Sequence, residues 1–102
     1  MFILIIGFYF NSQIPGEYNE FAQCISDTGA KMYGTNWCVH CQNQKVLFGK
    51  SFKNVNFVNC DFSRDECLKA GVSAFPTWII LEKNYVGELN LKELSKYTNC
   101  TI

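Results

Sequence analysis

Apolar and polar residues follow two different periods along this chain, and the switches between them mark out a series of short elements. Met1 to Phe10, MFILIIGFYF, is continuously apolar. A helix of that length spans only about 15 Å, half the hydrocarbon thickness of a bilayer, so the run cannot cross one alone. It lacks the basic leader and the small-residue cleavage site of a secretory signal, while its Ile, Phe and Tyr content suits a strand. Residues 1-16 therefore read as an apolar N-terminal segment, either the remnant of a signal or anchor or a first strand, closed by the turn residues Pro15 and Gly16. Residues 17-102 read as one folded domain.

From Glu17 to Thr28, the positions Phe21, Cys24, Ile25 and Thr28 recur at helical spacing, and Gly29 stops the helix. Ala30 to Gly34 predicts a short strand. A helix follows from about Cys38 to Phe48, with apolar residues on one side, and ends at Gly49. Asn54 to Asp61 alternates Val55 and Phe57 against Asn56, Val58 and Cys60, the period of a second strand. Ser63 with Glu66 three residues later has the spacing of a capping box, opening a short helix in which Leu68 and Ala70 face inward before Gly71. Phe75 to Leu81 is the most apolar of the later strands, Glu82-Lys83-Asn84 its turn, and Tyr85 to Leu89 the returning strand. Leu91 to Tyr97 predicts a final helix with Leu91, Leu94 and Ser95 toward the sheet. Strands alternating with helices in this order describe an α/β domain.

Composition narrows the range of functions. At 102 residues, 48% hydrophobic and 16% aromatic, the chain supports one modest core and is not a disordered tail. Its nine basic and nine acidic residues cancel and form no block of either sign, so no phosphate-tracking surface is present and nucleic acid is not an expected partner. A monomer is expected, and no cofactor is implied.

The chemistry lies in six cysteines: Cys24, Cys38, Cys41, Cys60, Cys67 and Cys100. An even count this high suits an oxidising compartment, because four thiols beyond one exchange pair would be liabilities or metal ligands in a reducing one. Cys60 and Cys67 are close enough to staple one element to the next, a closure worth about 2.5 kcal/mol by chain entropy. Cys24 and Cys100 either bridge the first and last helices or stay as buried free thiols, and free thiols are the expectation adopted. Cys38 and Cys41 are the reactive pair. A strand running into a helix through Trp37-Cys38-Val39-His40-Cys41 puts the first sulfur at the helix N-terminus, where unpaired N–H groups and the helix dipole favour a thiolate. Cys41, one turn further in, is the resolving thiol. His40 either lies near that thiolate and favours the reduced form, or is a solvated helix residue. A second reading of the same spacing is a zinc module built from Cys38, Cys41 and two of Cys60, Cys67 and His40, and a third is a redox-inactive peptide-binding domain.

Strand, Trp-Cys-x-x-Cys helix, strand, helix, the segment Gly71-Val72-Ser73-Ala74-Phe75-Pro76-Thr77, hairpin and final helix together resemble the thioredoxin superfamily over roughly Glu17 to Tyr97. The longer strings Gly29 to Gly34, Trp37 to Lys45, Phe48-Gly49 and Phe75 to Trp78 are similar to the thioredoxin-like domain attached to vitamin K epoxide reductase homologues. The resemblance implies a thioredoxin-like fold with a central mixed four-stranded sheet flanked by helices, extended by one strand if residues 1-10 form it. It also implies a protein disulfide oxidoreductase with Cys38 and Cys41 catalytic. The same likeness makes Pro76 a cis-proline that presents the Phe75 backbone to an extended substrate, with Trp37 covering the disulfide. Implied partners are protein thiol and disulfide substrates and a vitamin K epoxide reductase-like, quinone-linked membrane protein on a separate chain. The implied location is exocytoplasmic or membrane-associated (periplasm, lumen or secreted), with the cytoplasm left open. The chain departs from ordinary cytosolic thioredoxins in carrying Met32 where those have a buried aspartate and Phe57 where they have its partner lysine. Without that proton acceptor an oxidant or isomerase is expected rather than a general reductase.

Overall fold

The computed structural model describes residues 16–102, so the readings that fall on residues 1-15 lie outside it. The elements run α1 (Asn19–Asp27), β1 (Lys31–Gly34), α2 (Val39–Phe48), a 3-10 helix (Gly49–Asn54), β2 (Phe57–Asn59), α3 (Arg64–Lys69), β3 (Thr77–Ile80), β4 (Lys83–Val86) and α4 (Leu91–Thr98). The four strands form one sheet in the order β2-β1-β3-β4, with β1 and β2 parallel and the other two pairings antiparallel. This is the mixed four-stranded sheet that the resemblance implies.

Register explains how the sheet divides its side chains. Phe57, Met32, Trp78 and Tyr85 stand in one row across the four strands. They share a core with Phe21, Ala22 and Ile25 of α1, Cys41 and Phe48 of α2, and Leu94 of α4. The opposite face carries Val58, Tyr33 and Ile79 and is covered by Cys60, Cys67 and Val72 from the α3 region. Trp78, Met32 and Ile25 are fully enclosed, each contributing about 2–3 kcal/mol through removal of apolar area from water. No helix among the described residues is long and apolar enough to cross a membrane.

Several local expectations are corrected. Cys24 and Cys100 are not free thiols but a disulfide across 76 positions, tying α1 to the residues after α4. Gly16, Thr101 and Ile102 line one cleft beside α1, so both ends of the described chain meet there. Ser63 sits at the N-cap of α3 but its side chain makes no cap bond, and Glu66 pairs instead with Lys31 at 3.3 Å. The capping box forms at α4, where Asn90 and Glu93 satisfy each other's backbone N–H groups. Leu68 is exposed, and Cys67 is the buried residue of α3. The β3–β4 turn falls at Leu81-Glu82, both at positive φ (48° and 68°), so β4 starts two residues earlier than the turn at Glu82-Lys83-Asn84 would allow. Paired positive φ is what a two-residue hairpin turn demands, and here neither residue is Gly or Asn, the types that signal it. The apolar side read onto the helix from Cys38 to Phe48 does not form as such. Cys41, Gln44 and Phe48 are its buried residues, while Val46 and Leu47 are exposed.

Candidate active site

The site begins where β1 gives out. Gly34 ends the strand, Asn36 and Trp37 bend the chain, and Cys38 takes the N-cap of α2 with extended backbone (φ −76°, ψ 122°). An N-cap side chain is positioned to accept from the exposed N–H groups of the first turn. Sulfur fills that role here: the Cys41 N–H donates to Cys38 Sγ at 3.2 Å. Both cysteines are free thiols. Cys38 is just beneath the surface and Cys41 is wholly buried.

Opposite this pair stands the loop before β3. The Phe75-Pro76 bond is cis, and the Cys38 thiol donates to the Phe75 carbonyl at 3.6 Å. Trp37 is 66% exposed, so it is not a core residue. Its ring meets Phe75 edge-on at 6.1 Å, and its Nε1–H donates to Asp61 Oδ2 at 2.9 Å. Asp61 follows Cys60, and Cys60 is bonded to Cys67. The second disulfide therefore anchors the loop that orients Trp37 beside the reactive pair.

His40 lies on the rim rather than against the sulfurs. Its Nδ1 is 2.7 Å from Glu88 Oε2, and Asn43 Nδ2–H donates to the same oxygen at 3.2 Å. His40 and then Asn43 hold the Glu88 carboxyl below the usual carboxylate range. The zinc reading loses its donors, because Cys60 and Cys67 are bonded to each other and His40 is engaged by Glu88. Of the residues singled out from the sequence, Cys38, Cys41, Trp37, Phe75 and Pro76 converge, while His40 stands at their edge.

Four residues that shape the site were not read from the sequence. Gly34 leaves room for sulfur: a Cβ there would stand 2.6 Å from Cys41 Sγ and 3.4 Å from Phe57 Cε1. Gln44 is fully buried, accepts from Trp78 Nε1–H at 3.0 Å and Leu89 N–H at 2.8 Å, and donates to the Leu89 carbonyl at 2.7 Å. It locks the redox helix to the segment between β4 and α4. Lys45 places its ammonium 4.2 Å from the centre of the Phe57 ring and donates to Asn36 Oδ1 at 3.1 Å. Glu88 is the fourth. Gly34 and Gln44 had a signal, one as a glycine ending an apolar strand just before the cysteines and the other as a polar residue one turn beyond Cys41. Glu88 had none, since its partners are more than forty positions away.

Burial and the neighbouring Cys38 push the Cys41 thiol up to about 12, against the pull of the Thr35 N–H and of Lys45. The arrangement can run thiol-disulfide exchange: an outer sulfur accessible to a partner, an inner one held in reserve as a thiol, and a backbone carbonyl facing the outer one.

No family model matches the chain. Over 107 aligned residues it is 35% identical to the thiol-disulfide oxidoreductase LTO1 of Arabidopsis thaliana, an alignment covering 92% of this chain and 28% of that protein. The chain thus spans less than a third of that relative's length. Among solved structures, a thioredoxin from Nicotiana alata superposes with a TM-score of 0.55 at 18% identity, covering 81% of this chain and 90% of that one. A chain from a structural study of thiol resolution in yeast mitochondrial 1-Cys peroxiredoxin gives 0.54 at 23% identity, covering 78% and 86%. The chain therefore has a thioredoxin-like fold, with its paired cysteines at the start of α2.

Proposed function

We propose that this chain is a thiol-disulfide oxidoreductase in which Cys38 exchanges with protein substrates and Cys41 resolves. One observation carries the reading: the two thiols sit one helical turn apart at a helix start, the outer one against the Phe75 carbonyl and the inner one sealed from water. An extended substrate segment would pair with the Phe75 backbone while Trp37 packs over it, the strand-addition mode of peptide recognition. In the oxidising direction a substrate thiolate attacks Cys38 of the closed pair and expels Cys41. A second substrate thiolate then attacks the mixed disulfide and expels Cys38, leaving the substrate oxidised and both cysteines reduced.

Oxidation or isomerisation is the favoured direction. Met32, fully buried, occupies the position at which ordinary cytosolic thioredoxins carry a buried aspartate, and the Cys24–Cys100 and Cys60–Cys67 disulfides suit an oxidising, exocytoplasmic setting. Electrons would then pass to a quinone-linked membrane partner of the vitamin K epoxide reductase type. Oxidation of a reduced, unfolded protein by the parent chain and by Cys38→Ser tests the core of the proposal. Loss of activity in the variant supports it, and equal activity favours a redox-inactive peptide-binding domain. Equilibration with glutathione tests the direction, since a potential near about −120 mV belongs to an oxidant and one near about −270 mV to a reductase.

A further inference from the structure

We propose that Lys45 is a positioning residue for the resolving step: its ammonium, held over the Phe57 ring, stabilises the Cys41 thiolate each time that thiolate forms. The inference rests on the proposed exchange chemistry and deepens it. Cys41 is wholly buried, and a buried thiol gives up its proton only if something offsets the lost hydration of the anion. Its surroundings are short of such groups. Strands β1 and β2 present Gly34 and Phe57, neither of which titrates, and the ring of Phe57 reaches to within 3.4 Å of where a Gly34 Cβ would stand beside the sulfur. On α2 itself, His40 faces outward to Glu88, and Cys38 opposes ionisation of its neighbour. The Thr35 N–H and the Lys45 charge are the two influences that favour the thiolate.

Geometry makes Lys45 a fixed charge rather than a wandering one. It follows Cys41 by one turn on the same helix, so both side chains lie on adjoining parts of one face. Its ammonium is caught between the Phe57 ring at 4.2 Å, the Phe52 ring at 5.6 Å and Asn36 Oδ1 at 3.1 Å. Cation–π contacts hold it on Phe57, the ring whose edge borders the same Gly34 position as the Cys41 sulfur, and spare it from full hydration. The same charge serves both directions of exchange. It raises the fraction of Cys41 able to attack a mixed disulfide, and it stabilises Cys41 as the leaving thiolate when a substrate attacks Cys38.

A neutral dipyridyl disulfide separates the two steps in the full chain with its Cys24–Cys100 and Cys60–Cys67 bonds closed. The Cys38 thiolate attacks the reagent and releases one pyridinethione, and the Cys41 thiolate then attacks Cys38 Sγ and expels the second. The products are one protein disulfide and two thiones, which carry the two protons that the thiols give up. In Lys45→Met, which keeps the stem on the two rings and removes the charge, the second release should slow about three- to tenfold at neutral pH. Its pH profile should move to higher pH, the first release should stay within about twofold, and Lys45→Arg should restore the second. Equal second phases in parent and Lys45→Met would overturn the role of Lys45, as would an Arg variant as slow as the Met variant. A parent chain that releases a single thione would instead remove the exchange reading on which the role depends.

Discussion

Gly34→Ala is the sharpest test of how the resolving sulfur is housed. The added methyl would stand 2.6 Å from Cys41 Sγ, about 1 Å inside ordinary van der Waals contact, and 3.4 Å from Phe57 Cε1. Backbone strain is not involved, because Gly34 lies in a regular strand paired with Asn59. The clash must be relieved by turning Cys41 about its Cα–Cβ bond or by pushing α2 off the sheet. Overpacking of this size costs about 1–3 kcal/mol, which a domain of ordinary stability survives. The loss in chemistry should be larger. A reacting atom misplaced by about 1 Å loses on the order of a hundredfold in rate, so the second thione release should fall by that factor. The first release should stay near the parent value, since the Phe75 carbonyl and the helix start that frame Cys38 are untouched. Stopped-flow absorbance resolves both phases, and urea unfolding followed by circular dichroism measures the stability. A second phase within threefold of the parent would refute the argument that the glycine is there to make room for sulfur.

Three other outcomes follow from the same geometry. Gln44→Leu strands the Trp78 Nε1–H, the Leu89 N–H and the Leu89 carbonyl in the core, and should destabilise the fold by about 3–5 kcal/mol in urea, against less than about 0.5 for the exposed Val46→Ala. Opening the loop of 76 positions with the pair Cys24→Ala and Cys100→Ala should lower stability by about 3–4.5 kcal/mol, read as a drop in the urea midpoint. Reduced Cys41 also has a pH signature. Between the ordinary thiol value of 9.0 and about 12 the unfolded chain has lost this proton while the folded chain keeps it, so stability falls as pH rises through that window and is fully present below it. Comparing unfolding of Cys38→Ser with Cys38→Ser/Cys41→Ser across the window isolates the contribution of Cys41, and parallel pH curves would refute it.

What the sequence made legible was whatever depends on neighbours. Ala30 to Gly34, the turn through Trp37 and the helix start at Cys38 are dictated within a dozen residues, and the structure places them as expected. Cys60 and Cys67 are seven positions apart, and their pairing could be proposed from that spacing alone. Long-range partners were not legible. The Trp37 contact to Asp61 spans 24 positions, the Gln44 contacts to Leu89 span 45, and the His40 contact to Glu88 spans 48. Nothing in Gln44 announces that a fully enclosed amide will find three matching groups on β3 and the segment beyond β4. The free-thiol reading of Cys24 and Cys100 failed for the same reason, because burial and bonding both keep a cysteine from water and only the tertiary fold distinguishes them. Leu81 and Glu82 failed differently: the tight hairpin overrides what their side chains prefer.

The cleft shared by Gly16, Thr101 and Ile102, fastened nearby by the Cys24–Cys100 bond, bears on how such a unit can be joined to others. Polypeptide leaving from either side would depart through one corner, so the unit could hang from a single stalk or be spliced into a loop of a larger host without its strands parting. A pull between the two sides of that corner would be borne by a covalent bridge before it reached the sheet, leaving the geometry around Cys38 undisturbed.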